Sequence, residues 1–224
     1  MKAWHERDLV AFDREKAEVA QVYPHLHFSV LEGQVRISGS LEIKEGSKIL
    51  DRFSIEIQLP QDYPEGVPVV FETAGRIPRT LDRHCYETGA SCLFLPEERW
   101  RVWPKGKSLL DFIDGPVRNY FIGQAVFERD GVWPFGQWDH GLYGRKQFYQ
   151  EIFDTDDLVK VKKYFELLAA KRVKGHWDCP CGSGKRIRDC HFEMVRNLRD
   201  KIPRSDASKA IRPVDEALKR MSKA

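Results

Sequence analysis

Three cysteines and a histidine are crowded between positions 179 and 191: Cys179, Cys181, Cys190 and His191. Soft sulfur and imidazole nitrogen donors at such close spacing suit a tetrahedral zinc ion. Gly182-Ser183-Gly184 lets the chain turn sharply between the first sulfur pair and Cys190-His191, which closes the site. Four protein ligands leave no coordination position for water, so the expected zinc is structural and not catalytic. His176 is an inferior candidate for the fourth position. So small a knuckle has little core of its own, and metal binding would supply its folding energy. The two other cysteines, Cys85 and Cys92, call for a different explanation. A thiolate is both a good nucleophile and a good leaving group, so Cys92 could accept an acyl group and then surrender it to an amine. The plain alternative makes Cys92 a small inert core residue, and Cys85 reads as structural or incidental.

Something must position these residues. Residues 3–22 carry apolar side chains at roughly helical spacing, which predicts an amphipathic helix ended by Tyr23-Pro24. Leu26 to Leu31 reads as a strand. Val35, Ile37, Leu41 and Ile43 mark a second strand, kinked at Gly39, and Phe53 to Leu59 alternates cleanly as a third. Turns at Gly33 and Glu45-Gly46 join them into an antiparallel meander. Prolines 60, 64 and 68 exclude a central strand there, and Val69 to Glu72 is a short fourth strand. A long aperiodic stretch, about 73–107, holds Cys92, and loops of that length usually carry function. Ser108 can cap a helix from Leu109 to Phe121 that Pro116 would kink. Residues 127–144 should wrap the body, because Trp133, Phe135 and Trp138 are costly to expose. Helices are expected at about 145–153 and 156–173, and a basic helical tail follows the cysteine cluster.

Helix, three-strand meander, proline-rich turn, short strand, cysteine-bearing loop and helix come in the order of the ubiquitin-conjugating (UBC) fold. Tyr63-Pro64-Glu65-Gly66-Val67-Pro68 resembles that family's Tyr-Pro-x-x-Pro-Pro turn. Gly89-Ala90-Ser91-Cys92-Leu93 resembles its Gly-x-x-Cys-Leu segment, and Trp100 falls where the family places a Trp. The likeness covers about residues 5–122. It departs at Asp82-Arg83-His84, where eukaryotic members have His-Pro-Asn, so the resemblance puts His84 in place of the oxyanion-stabilising Asn, where it could donate a hydrogen bond, helped by nearby backbone amides and less by Ser91 and Asp82, or could take up a proton. That variant, with Trp133 to Gly141, is similar to divergent bacterial members from cyclic-oligonucleotide antiphage (CBASS) operons and bacterial ubiquitin-like conjugation operons. Cys179 to His191 resembles the SEC-C motif. The resemblance implies an α+β UBC-like fold with a four-stranded antiparallel meander over residues 1–144. A helical connector (145–174), a SEC-C zinc knuckle (175–195) and a basic tail (196–224) would follow. It implies a cysteine-dependent acyltransferase in antiphage defence. Cys92 would form a thioester with the C-terminus of a partner protein, either the cyclic-oligonucleotide synthase (a nucleotidyltransferase) or a ubiquitin-like modifier. The chain shows no nucleotide-binding glycine loop, so any adenylation of that partner would come from a separate activating enzyme or be bypassed.

Composition sets outer bounds. With 42% hydrophobic and 32% charged residues, an ordinary folded core is feasible and global disorder is excluded. No apolar run approaches the ~20 residues a membrane helix needs, and the charged N-terminus lacks the apolar stretch of a signal peptide, so a cytoplasmic location is expected. Charge is segregated. Residues 171–224 hold 15 of the 37 Lys and Arg but only 7 of the 34 Asp and Glu, a net +8 against −5 for the rest. That basic end suggests an anionic partner, nucleic acid included, or a solvated charged face. Two other functions stay open: a UBC-like binding module without chemistry, and a nucleic-acid-binding zinc protein.

Overall fold

The computed structural model describes residues 3–134 and 141–222. The chain is a mixed α+β protein with one four-stranded antiparallel sheet. It divides into two compact units: Met1–Phe94 with Trp103–Gly136, and Leu95–Val102 with Gln137–Ala224.

The first unit opens with α1 (Trp4–Arg7) and α2 (Leu9–Val22). The single helix expected over 3–22 is broken at Asp8, whose carboxylate leaves the helix to accept the Ala11 N–H and cap α2. β1 (Leu26–Leu31), β2 (Gln34–Glu45), β3 (Lys48–Gln58) and β4 (Val69–Glu72) follow in sheet order 1-2-3-4. Gly39 does not end β2. It adopts φ +145°, pairs with Leu26, and lets the His25 carbonyl come so close that a Cβ would sit 1.9 Å from that oxygen. Only glycine tolerates both conditions.

α4 (Leu109–Phe112) begins at Ser108, whose hydroxyl accepts the Asp111 N–H. One π-turn, Ile113–Val117, contains the buried Pro116 and leads into α5 (Arg118–Asp130). The kink expected at Pro116 is therefore a widened turn, which absorbs the missing proline donor. One face of the sheet buries Ile37, Leu41, Phe53, Ile55 and Ile57 with Phe112, Ile113 and Phe121. Trp133 packs over Gly123 of α5, where a Cβ would lie 2.7 Å from its ring. Phe135 and Trp138 lie outside the described residues.

Glu15 ties this unit together. It is buried on α2, accepts the Leu109 N–H at 2.7 Å and receives the Tyr63 hydroxyl at 3.3 Å. Burial raises its carboxyl above the usual range, although the Leu109 and Tyr63 hydrogen bonds work the other way. The folded chain thus holds this proton more tightly than the unfolded one. The associated stability is complete below the ordinary carboxylate pKa and is lost as pH rises through the elevated folded value. Glu15→Gln should flatten this part of the pH–stability profile. Glu15→Ala strands two buried donors and should cost about 2–3 kcal/mol in urea unfolding. An unchanged profile in Glu15→Gln would contradict the assignment.

The second unit takes up a detour from the long loop: a 3₁₀ turn (Pro96–Glu98) and α3 (Arg99–Val102). Sequence periodicity did not reveal that part of this loop belongs here. Ion pairs hold it. Buried Glu97 receives the Tyr149 hydroxyl at 3.0 Å and faces Arg145 at 3.3 Å. Glu98 pairs with Arg101, which reaches Glu151 at 2.7 Å, and Arg99 lies 3.7 Å from Asp206. α6 (Gly141–Phe153), α7 (Leu158–Ala169), α8 (Phe192–Lys201) and α9 (Arg204–Met221) complete the unit. Segments 145–174, 175–195 and 196–224 share one hydrophobic cluster: Phe148, Phe165 and Leu168 meet Cys179 and Ile187, then Val195 and Val214. Two arginines of the basic end serve structure. Arg199 donates to the Leu167 and Ala170 carbonyls, and Arg204 to that of Ala169, so both complement the negative end of α7. No helix among the described residues is long and apolar enough to cross a membrane.

Candidate functional site

The four residues expected to hold metal come together. A short antiparallel ribbon forms them: Cys179 N–H donates to the Lys185 carbonyl at 2.9 Å and Ile187 N–H to that of Trp177 at 2.7 Å. Gly182 and Gly184 take φ +83° and +74° at its tip, conformations that side-chain-bearing residues rarely adopt. A 3₁₀ turn, Ile187–Asp189, then delivers Cys190 and His191 at the start of α8. The donor atoms of Cys179, Cys181, Cys190 and His191 all lie within 4.8 Å of one another, and the group could hold a metal ion. Cys179 Sγ is 3.1 Å from His191 Nδ1, Cys190 Sγ is 3.2 Å from the same nitrogen, and Cys181 Sγ is 3.6 Å from Cys190 Sγ. His176 is not a member of this group.

Charge in the cluster is uneven. Burial pushes the Cys179 thiol up to about 11. At Cys181 burial pushes the same way, but hydrogen bonding with Ser183 and with the other two cysteines outweighs it and brings that thiol down to about 6. A cation bound by the cluster would displace the thiol protons. Tyr164 of α7 is 1% exposed, and its hydroxyl has no hydrogen-bond partner at ordinary distance among the described residues. Its ring lies edge-on to His191 at 6.3 Å, and burial, then the neighbouring thiols, raise its pKa. A buried hydroxyl beside a sulfur cluster can support a ligand thiolate from the outer shell. The spacing of ligands is readable in sequence, whereas Tyr164 reads there only as one apolar position of α7.

Cys92 lies in the first unit, half-buried, at the exit of a tight hairpin. Tyr86 N–H donates to the Ala90 carbonyl at 2.9 Å, and Gly89, at φ +87°, makes the turn. Ser91 N–H donates to Val70 at the sheet edge (2.7 Å) and Cys92 N–H to the His84 carbonyl (2.7 Å). The backbone amides nearest the thiol are thus already engaged, which removes the Tyr86, Ser91 and Cys92 amides as oxyanion donors. The hairpin brings a different donor: the Tyr86 hydroxyl is 3.2 Å from Cys92 Sγ. Tyr86 was missed in the sequence because it lies six residues from Cys92, and only the hairpin puts both on one side. His84 takes a left-handed conformation (φ 45°), and its ring sits 4.6 Å from that of Trp133. Behind it, fully buried Gln124 grips Arg83 twice. Its amide donates to the Arg83 carbonyl at 2.6 Å and its oxygen accepts Arg83 Nε at 2.8 Å. Tyr120 donates to the same carbonyl at 3.2 Å. α5 therefore fixes the backbone on which His84 and Cys92 depend. Cys85 is buried, with its thiol pKa raised by burial, and neither Cys85 nor Cys92 is in a disulfide among the described residues.

An α+β chain with a Cys/His cluster able to hold a metal, and a second, separate cysteine beside a phenol, is what the fold and sites define. Comparison with protein-family models, with curated proteins and with solved structures finds no match in any of the three.

Proposed function

We propose that this chain is a UBC-like, cytoplasmic acyltransferase in which Cys92 is the nucleophile and the Cys179–Cys181–Cys190–His191 cluster holds a structural zinc. One observation carries the catalytic part: Cys92 Sγ is half-buried with a phenolic donor 3.2 Å away, on a loop fixed by buried side chains. The Cys92 thiolate attacks the activated C-terminal carboxyl of a partner protein. The activating group leaves, and a thioester forms. An amine then attacks the acyl carbon, an amide forms, and the sulfur departs as thiolate and is reprotonated. Tyr86 would donate toward the sulfur, and His84 would supply the hydrogen bond to the transient oxyanion. The partner is a ubiquitin-like modifier or a cyclic-oligonucleotide synthase, adenylated by a separate activating enzyme, in the antiphage setting that the sequence resemblance implies.

Sulfur–nitrogen and sulfur–sulfur spacings of 3.1–3.6 Å support zinc. They approach the roughly 3.5–3.8 Å edges of a tetrahedron with Zn–S near 2.3 Å and Zn–N near 2.0 Å.

The test incubates the chain with each candidate partner, its activating enzyme and ATP, and resolves adducts on gels with and without thiol reductant. A reductant-sensitive adduct absent from Cys92→Ala is expected. An adduct that survives Cys92→Ala, or none with either class of partner, refutes the proposal. Tyr86→Phe should slow loading or discharge about 10-fold, the loss of one hydrogen bond to a charged sulfur. Unchanged rates would exclude a role for the phenol.

A further inference from the structure

Within the second unit, a cavity of about 450 Å³ is lined by Leu167, Ala170, Trp177 and Pro180, with Lys163, Glu166 and Asp178 among the polar groups. Trp177 is half-exposed there. Lining it, or close in sequence or across the ribbon to its walls, are exposed cations without a carboxylate partner. Exposed Lys163, Lys171, Arg172, Lys174, Lys185 and Arg186 have no carboxylate within salt-bridge distance among the described residues. Elsewhere in the unit, Arg101, Arg145, Lys162 and Arg212 are paired, and Arg199 and Arg204 are spent on helix carbonyls. Lys201, Lys209, Lys219 and Arg220 also lack a carboxylate within salt-bridge distance among the described residues, but none of them lines the cavity or adjoins its wall in sequence. Lys171 and Arg172 follow Ala170 of the cavity wall. Lys174 precedes the turn in which Trp177 N–H donates to its carbonyl at 3.0 Å, and Arg186 pairs across the ribbon with Asp178. The metal cluster uses the backbone carbonyls of Trp177 and Lys185, and its ligand Cys179 also lines the cavity, but it uses none of the six cationic side chains.

We propose that this face binds single-stranded nucleic acid, with phosphates on the six cations and a base inserted against Trp177. Exposed cations without carboxylate partners suit a phosphate backbone, and a half-exposed indole in a recess suits base stacking. The two carboxylates at the recess, Glu166 and Asp178, can accept from an exocyclic base amine, which favours cytosine. An acidic protein or an anionic membrane would satisfy the cations but leave the tryptophan recess without use.

The probe is a fluorescently labelled 20-nucleotide oligocytidine, titrated with the metal-loaded full chain and followed by anisotropy and tryptophan emission. Neutralising about five phosphates predicts roughly 100-fold weaker binding at 200 mM than at 50 mM salt. Lys185→Glu with Arg186→Glu should weaken binding at least about 10-fold and reduce the salt slope by about 1–2. Trp177→Phe should remove most of the emission quench while leaving the salt slope intact. Arg212→Glu with Arg220→Glu on α9 removes the same charge elsewhere and should change affinity less than about 3-fold. The proposal is overturned by absence of binding at 50 mM salt, or by equal weakening in the α9 control. It is equally overturned if phosphatidylglycerol vesicles are bound while the oligonucleotide is not.

Discussion

Removal of a metal held by the Cys/His cluster is expected to destabilise the second unit and leave the first intact. Cys179, Ile187 and Val195, which carry or flank the ligands, are at most 5% exposed and sit in the same cluster as Phe165 and Leu168. Without a cation, three sulfurs and an imidazole would be held within 4.8 Å by short-range hydrogen bonds alone, one sulfur carrying charge. Structural zinc contributes about 10–16 kcal/mol in small peptides that have no other core. This unit has a core, so a loss of about 3 kcal/mol is a conservative figure, and it corresponds to a melting point lower by roughly 10 °C or more. Hydrogen exchange with and without a strong chelator should show amides of 177–195 and α7 losing protection while those of β2 and β3 keep it. Cys179→Ser should reproduce the effect in the presence of zinc. Equal protection in both conditions, together with less than about 0.1 equivalent of metal in the purified chain, would dispose of a metal centre.

The second large effect concerns Cys92→Ser. Replacing sulfur by oxygen keeps the geometry but turns a good leaving group into a poor one. The prediction is an adduct that now resists reductant, because an ester has replaced a thioester, and that discharges to amines about 100-fold more slowly or worse. The Tyr86 hydroxyl, 3.2 Å from the sulfur, can still donate to the smaller oxygen, so loading falls less than discharge. If the serine variant discharges as fast as the parent, the atom at position 92 does not carry the acyl group.

Much of this architecture was legible in the sequence. The two-residue period of Phe53 to Leu59 marks β3 because one face is dry, and Cys179, Cys181, Cys190 and His191 stand out because metal ligands need close spacing. What stayed hidden depends on distant partners. Nothing local tells that Leu95–Val102 packs with helices beyond residue 141, since Glu97 and Arg101 read as solvated charges until Tyr149 and Glu151 are in place. Gln124 reads as a polar surface position of α5, and only the Arg83 backbone explains why an amide is buried there. Asp8 looks like one more helical residue until its carboxylate is seen capping α2.

The detour of Leu95–Val102 also sets where the polypeptide can be cut. A truncation after the first unit's last residue would carry this stretch along but discard the groups that neutralise it. Glu97 would lose Tyr149 and Arg145, Arg101 would lose Glu151, and Arg99 would lose Asp206. Three charged side chains would each lose a partner on a strip that begins three positions after Cys92. The C-terminal half is therefore no detachable cap. Exchanging it between relatives would require the 95–102 strip to travel with it, as one inherited block interrupted in sequence.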